Sequence, residues 1–305
     1  MEIRSIVTDE IDKFSGINST GEKQIKFKEF LEGWFQEGKT KPEWCFVVEK
    51  GETFIGRIIF WAFPDQPNHF KIAGLKLPHD DEEVFYEIAK KLITEGCRKV
   101  SGDKTTEFEY HLYSKNNDYF NNYNKLLQEC EFISSQEKSS FLNEGSIEKE
   151  RYSDITFRSL NVVGEKEFVK AIELVSINTL DTEDQLSIET LGSEAAALEY
   201  YNILKSIDLN GHWWQLAYDR NEDLVGLVVP QKLDETHGAI NYIGVVPNKR
   251  GNDYVSVLLI KGTNILKENG LTKVIADIDN RNFPLEQALY KVGFKLDSQM
   301  INYKK

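Results

Sequence analysis

The 305-residue chain has only three cysteines, Cys45, Cys97 and Cys130, far apart and without a Cys-x-x-Cys or Cys/His pairing. That scatter excludes a disulfide framework and a cysteine-based zinc site, and it fits reduced thiols packed in a core. The five histidines, at 69, 79, 111, 212 and 237, show no metal-ligand spacing. No apolar run approaches the roughly 18 residues of a membrane span, and the opening "MEIRSIVTDE" lacks a signal core. A cytoplasmic protein is expected. Positive charge is also short: 37 Lys and Arg face 50 Asp and Glu, for a net charge of −13. Nucleic acid and acidic membranes are therefore poor partners, whereas a cationic small molecule is compatible. Trp213-Trp214 and "YHLYSKNNDYFNNYNKLL" supply aromatics with no basic stripe beside them, so they read as core and helix face rather than as a base-stacking surface. A Walker loop, a nucleophile elbow and a paired-glycine dinucleotide fingerprint are all missing.

What the chain does have is a folded composition, 40% hydrophobic and 12% aromatic, and an internal repeat. Each half opens with Arg-Ser in a strand-like run, "IRSIV" and "TFRSL". A helical stretch follows, then a strand pair in which Trp44 and Trp214 each precede a glycine, Gly56 and Gly226, by twelve residues. "FKIAGLKLP" matches "AINYIGVVP", and each leads into a helix, "EEVFYEIAKKLITEG" or "YVSVLLIKGTNILKENG", with a glycine expected at its C-terminal stop. Strands follow near 105–113 and 273–279, then a further helix and a hairpin. The last pair, "FISSQEKSSF" and "FKLDSQMINY", keeps aromatics nine residues apart. The order predicts two α/β domains of like topology, 1–145 and 154–305, joined by the polar stretch "LNEGSIEKERYS". Each would be a mixed central sheet, with antiparallel strands joined to a βαβ unit, flanked by helices.

The informative segment is "IGVVPNKRGNDYVSVLL". A strand ends at Pro247, Asn248 to Asn252 form a polar loop, and a helix starts near Tyr254. Such a junction aims unpaired backbone N–H groups at one point. With the helix dipole and the charge of Lys249 and Arg250, that suits a pyrophosphate. Gly251 permits close approach of the ligand. Asp253 stands against this reading, because its carboxylate would repel a phosphate or cap the helix in the phosphate's place.

These residues resemble the central motif of the GNAT acetyltransferase superfamily, Gln/Arg-x-x-Gly-x-Gly/Ala after a Val-x-Pro strand end. Downstream, "ADIDNRNFPLEQALYKVGF" is similar to the family's fifth strand, its Asn, the next helix and the closing Gly-Phe. The resemblance covers about 240–303. It departs at Asn248, where the family has Gln or Arg, and at Asp253, where it has a small residue. It implies acetyl-CoA as acyl donor, with no metal. Ile243, Gly244 and Val245 would pair with the pantetheine arm. Asn248 and Lys249 stand at the head of the motif, and the amides of Arg250, Gly251, Asn252, Asp253 and Val255 would take the pyrophosphate. Asn282 would contact the thiol end. Longer acyl donors are not separated from acetyl.

Acyl transfer to an amine needs a base for the ammonium and is helped by an acid for the leaving thiolate. The strand "GAINYIGVV" has no carboxylate. Glu235 and His237, with Asp234, are the nearest candidate bases. Tyr290 is the candidate acid, although the family's Tyr position, four before Gly293, holds Leu289. Asp277 and Asp279 alternate along a strand and share one face, suited to a cationic acceptor. In the first half the corresponding loop reads "HDDEE", without glycine or basic residue, and Glu131 replaces the Gly of Gly-Phe. The expectation is an N-terminal copy that keeps the fold without a donor site, beside a C-terminal N-acetyltransferase with a small-molecule amine acceptor. The alternative is a non-catalytic CoA-sensing or partner-binding protein.

Overall fold

The computed structural model describes residues 1–77, 82–102, 105–146 and 154–305. The first-half loop from Pro78 to Asp81 and the linker residues 147–153 lie outside the described residues. The chain forms two compact units, Met1–Gln136 with Ile301–Lys305, and Glu137–Met300.

The first unit runs β1 (Glu2–Ser5), α1 (Ile11–Ser15), α2 (Glu22–Gln36), β2 (Cys45–Lys50), β3 (Thr53–Trp61), β4 (His69–Lys76), α3 (Glu82–Ser101), β5 (Glu107–Tyr113) and α4 (Phe120–Glu129). β6 (Ile133–Asn143) then carries the chain into the second unit. That unit contains β7 (Thr156–Ser159), α5 (Leu160–Val163), α6 (Glu165–Ser176), α7 (Thr182–Leu191), α8 (Ser193–Ile207), β8 (Gln215–Tyr218), β9 (Leu224–Lys232), β10 (His237–Val245), α9 (Tyr254–Glu268), β11 (Lys273–Asp279) and α10 (Phe283–Lys291). β12 (Lys295–Lys304) closes the chain.

In the second unit the strand order is β6-β11-β10-β9-β8-β7, antiparallel except for the β10–β11 pair. Val225 to Gln231 of β9 are buried without alternation, as a central strand covered on both faces must be. One face is covered by α9 and α10 through Leu258, Leu259, Leu266 and Leu289. The other is covered by α6 and α8 through Phe168, Ile172 and Tyr201, against Trp214 and Leu227. The first unit repeats the plan. Its sheet is β1-β2-β3-β4-β5 followed by the end of β12, with α3 and α4 on one face and α1 and α2 on the other. Cys45, Cys97 and Cys130 are all buried free thiols, and burial pushes Cys45 and Cys97 up to about 12.

Three details differ from the sequence reading. First, the units divide at Gln136/Glu137, and Ile301–Lys305 joins the first unit, rather than the chain splitting at 145/154. The reason is strand exchange. Lys138–Asn143 of β6 pair antiparallel with β11, while Lys305 exchanges backbone hydrogen bonds with Phe108 of β5 at 2.8 and 2.9 Å. Second, the expected terminal hairpin is in each half a single long strand. "ISSQEKSSFLN" and "KLDSQMINYK" contain no Gly, Pro or Asn-Gly turn that would fold them back. Third, Gly96 does not stop α3, which continues to Ser101. A Cβ there would lie 2.6 Å from the Phe60 ring, so Gly96 serves close packing. Gly270, at φ +87°, does follow the end of α9.

Candidate functional site

β10 and β11 pair in parallel only from His237 to Ala239, against Lys273 to Ile275. Beyond that point β10 stays with β9 and β11 stays with β6, so the two strands diverge. A bulge at Asn241 accompanies the divergence, since the β9–β10 register shifts between Ile240 and Tyr242. Pro230, which has no N–H to give to a ladder, lies opposite Ile240 at the shift. The edge of β10 turned away from β9 therefore has no strand partner from Ile240 to Val245 among the described residues.

The opening is a cavity of about 550 Å³. Its walls are Ile240 to Ile243 of β10, Ile275 to Asp279 of β11, Asn282, Leu285 and parts of α6, α7 and α8. Six carboxylates, Asp181, Glu183, Asp184, Glu199, Asp277 and Asp279, face it together with one lysine, Lys138. Tyr242 and Tyr200 form an aromatic wall with ring centroids 4.7 Å apart. Burial raises the pKa of both phenols, so both are neutral near pH 7. Tyr242 Oη also shares a 3.0 Å hydrogen bond with Ser176 Oγ. Asp279 is buried and acts as a joint. It accepts from the Thr182 amide and hydroxyl and from the Arg281 amide, tying β11 to the start of α7.

β10 leads directly into the predicted loop. The amides of Lys249 and Arg250 donate within it, to Val246 O and Pro247 O. Those of Gly251, Asn252, Tyr254 and Val255 have no acceptor among the described residues. Gly251 sits at φ +81°, and a Cβ there would meet nothing within 4 Å, so the space in front of the loop is open. Of the five amides assigned from the resemblance, that of Arg250 is thus already engaged inside the loop.

The side chains of the two loop cations are committed elsewhere. Lys249 Nζ donates to Asp219 Oδ2 at 2.6 Å and Asp223 Oδ2 at 3.2 Å, across the β8–β9 turn. Arg250 reaches the C-terminal end of α6, donating to Val175 O, Ile177 O and Asn178 O at 2.9, 2.7 and 3.2 Å, and to Val245 O at 3.0 Å. Orphan carbonyls at a helix end attract a guanidinium in this way. The charge that meets Asp253 comes instead from Lys291 of α10. Asp253 lies at φ +60° in the left-handed region. Its Oδ2 accepts from Lys291 Nζ and its Oδ1 from Ser256 Oγ at 2.6 Å, and it makes no side-chain cap to the α9 backbone. The exposed Asn248 lies in the short turn before the loop.

The remaining predicted residues divide. Ile243 and Asn282 line the cavity, and Asn282 Oδ1 accepts from the Leu285 amide at 3.3 Å as the N-cap of α10. Gly244 lies where α6 crosses β10, and a Cβ would sit 2.7 Å from Val175. Tyr290 is not part of the cavity wall. It is 46% exposed and its ring packs edge-on against Phe141, while Leu289 is fully buried in the core. Glu235 pairs with Lys232 at 2.9 Å in the β9–β10 turn and His237, the first residue of β10, with Asp234 at 2.9 Å, both outside the cavity wall. Asp184, Tyr200, Tyr242 and Ser176 were missed. They come from 176–242, a stretch in which residues 176–210 carry no motif in the sequence, and Asp181 beside them caps α7.

The first unit has the same divergence at smaller scale. β4 and β5 pair only over His69–Lys71 and Glu107–Glu109, and the space beyond is about 260 Å³, lined by Trp61, Glu109 and His111 among others.

Residues 176–294 match the model of the acetyltransferase (GNAT) family. No curated protein sequence is matched. Among solved structures, a GCN5-related N-acetyltransferase from Sphaerobacter thermophilus aligns over 100% of this chain and 95% of its own, with TM-score 0.60 and 14% identity. A tandem GNAT protein from the clavulanic acid biosynthesis pathway aligns over 100% and 98%, with TM-score 0.51 and 11% identity. An acetyltransferase of the GNAT family from Colwellia psychrerythraea aligns over 100% and 99%, at TM-score 0.50 and 11% identity. At these identities the likeness is one of fold. Whole-length alignment to a tandem protein, the repeated strand order and the family match over the second copy lead to one conclusion: the chain is a tandem GNAT-fold protein.

Proposed function

We propose that the second unit is an N-acetyltransferase that moves an acetyl group from acetyl-CoA to the amine of a small cationic acceptor. The observation that carries this reading is the run from the unpartnered β10 edge into the open amides of Gly251, Asn252, Tyr254 and Val255. An extended, amide-rich arm can add to a free strand edge, and a pyrophosphate suits amides at a helix start. Ile243, Gly244 and Val245 would hold the arm, and Asn282 faces the cavity beside them. The bound thioester supplies an activated acyl group. The six carboxylates around the cavity support a cationic acceptor.

The chain's own residues orient the amine, hold its ammonium and exclude water behind Tyr200 and Tyr242. Direct attack in a ternary complex is the expected course, because the cysteines are buried and lie outside the cavity wall. The test is calorimetry with CoA together with thiol release from acetyl-CoA over a panel of amines. Absence of CoA binding at about 1 mM, a free energy near 4 kcal/mol, sinks the proposal.

A second reading, a CoA-binding protein without turnover, is favoured by Leu289 filling the position of the expected phenol and by the commitment of Lys249 and Arg250 to protein partners. It predicts CoA binding with no thiol release on any amine.

A further inference from the structure

We infer that Asp184 is the catalytic residue that accepts the proton from the amine substrate. This rests on the acyl-transfer reading of the cavity, and it names a residue at a place in the fold that the sequence did not mark.

Three observations lead to it. Asp184 is half-buried on the inner side of α7 and lines the cavity opposite the bulged segment of β10. Among the described residues its Oδ2 accepts only a long bond, 3.4 Å, from Thr179 Oγ1. By contrast Asp181 is occupied in capping α7, Asp279 in joining β11 to α7, Glu183 with Lys138 at 3.0 Å, and Glu235 and His237 lie outside the wall. A general base must also titrate near the working pH. Burial, and after it the neighbouring charge of Asp181, push Asp184 up to about 6.

The groups that face it come from every side. Glu183 on α7 raises its pKa further and Lys138 on β6 lowers it. Glu199 and Tyr200 on α8, Tyr242 on β10, and Asp277 and Asp279 on β11 complete the surround. Neither phenol competes for the proton, since both are held neutral.

The step balances. A substrate ammonium gives one proton to the Asp184 carboxylate, leaving a neutral amine and a carboxylic acid. The nitrogen lone pair then forms the C–N bond to the acyl carbon as the C–S bond breaks. The second nitrogen proton goes to the departing sulfur, and Asp184 returns the first to solvent.

The experiment compares the native chain with Asp184→Asn and Asp184→Glu, using 1,4-diaminobutane, ethanolamine and hydroxylamine as acceptors with acetyl-CoA. CoA binding is measured separately by calorimetry. For the two cationic amines, kcat/KM should rise through about pH 6 in the native chain. Asp184→Asn should abolish that limb and lower kcat/KM about 100-fold at pH 7.5. Asp184→Glu should restore part of the rate, and CoA affinity should stay within about threefold of native. Hydroxylamine, neutral at that pH, should lose much less. An Asn variant that keeps the limb and most of its rate overturns the assignment, as does intact CoA binding with no thiol release from the native chain on any of the three. Loss of CoA binding by the native chain overturns the acyl-transfer reading itself.

Discussion

Asp253, held in the left-handed conformation one residue before α9, is paired through Oδ2 with Lys291 in the last turn of α10. The carboxylate that seemed set against a phosphate is thus part of a neutral pair, with both side chains partly exposed at 39% and 59%. Such a pair is worth under about 1 kcal/mol, and its residual repulsion toward an anion at the loop is correspondingly small.

Removing the carboxylate should free Lys291 to face the anion and should suit the backbone at φ +60°. Asp253→Gly is expected to tighten CoA binding by about threefold to tenfold at low salt. Lys291→Ala should weaken it by a similar factor. Calorimetry at two ionic strengths checks both. A weaker Asp253→Gly would mean that the carboxylate itself contacts the ligand.

Arg250→Ala separates a scaffold role from a phosphate-binding one. The guanidinium serves four carbonyls, three of them at the end of α6. Its loss should lower stability by about 2 kcal/mol, seen as a drop in the urea midpoint without ligand. A variant of native stability with weakened CoA affinity would reverse this assignment.

Glu131 is the N-terminal counterpart of Gly293. It stands at φ +66°, against +83° for Gly293, and both helices close with the same bond from the following Phe amide, to Leu127 O at 3.0 Å and Leu289 O at 2.9 Å. A side chain in that conformation costs about 1 kcal/mol, more than the exposed Lys305 pair returns. Glu131→Gly should therefore raise stability by about 0.5–1 kcal/mol in urea unfolding. No change would mean that the surrounding turn relaxes around the glutamate.

Gly226→Ala probes the close approach of β9 and β10 beside the site. A Cβ there would lie 2.2 Å from Gly244 O, which is backbone and cannot yield without moving β10. A loss of about 3 kcal/mol is expected, with disruption of the loop beyond. A near-native melting profile would contradict the described β9–β10 register.

The same Asp184 that is assigned to the chemistry should weaken the fold at working pH. Its folded pKa, about 6, lies above the ordinary 3.8, so between those values the folded chain holds more proton than the unfolded one. Stability contributed by the group falls as pH rises through that window, and the penalty is fully present above it. Asp184→Asn should accordingly be more stable than native at pH 7.5, by about 1 kcal/mol, and equal to it below about pH 4. A pH-independent difference would place the aspartate in ordinary solvent.

The sequence by itself determined the repeat, the mixed α/β class, the order of strands and the loop between β10 and α9. These follow from local signals: alternating and helical apolar spacing, Pro247 at a strand end, Gly251 in a turn, and Gly293-Phe294 closing a helix. Exchange of β6 and the end of β12 was decided only by the tertiary structure, because strand partners are chosen by edges that local pattern does not encode. The same holds for the charges of the site. Lys249, Arg250 and Asp253 lie in one short loop, yet each is matched to a partner brought in from elsewhere in the chain, Asp219, the end of α6 and Lys291. Asp184 had no local signature at all. Its chemistry comes from the desolvation and like charge that α7 meets when it packs beside two diverging strands, and no window of sequence contains that environment.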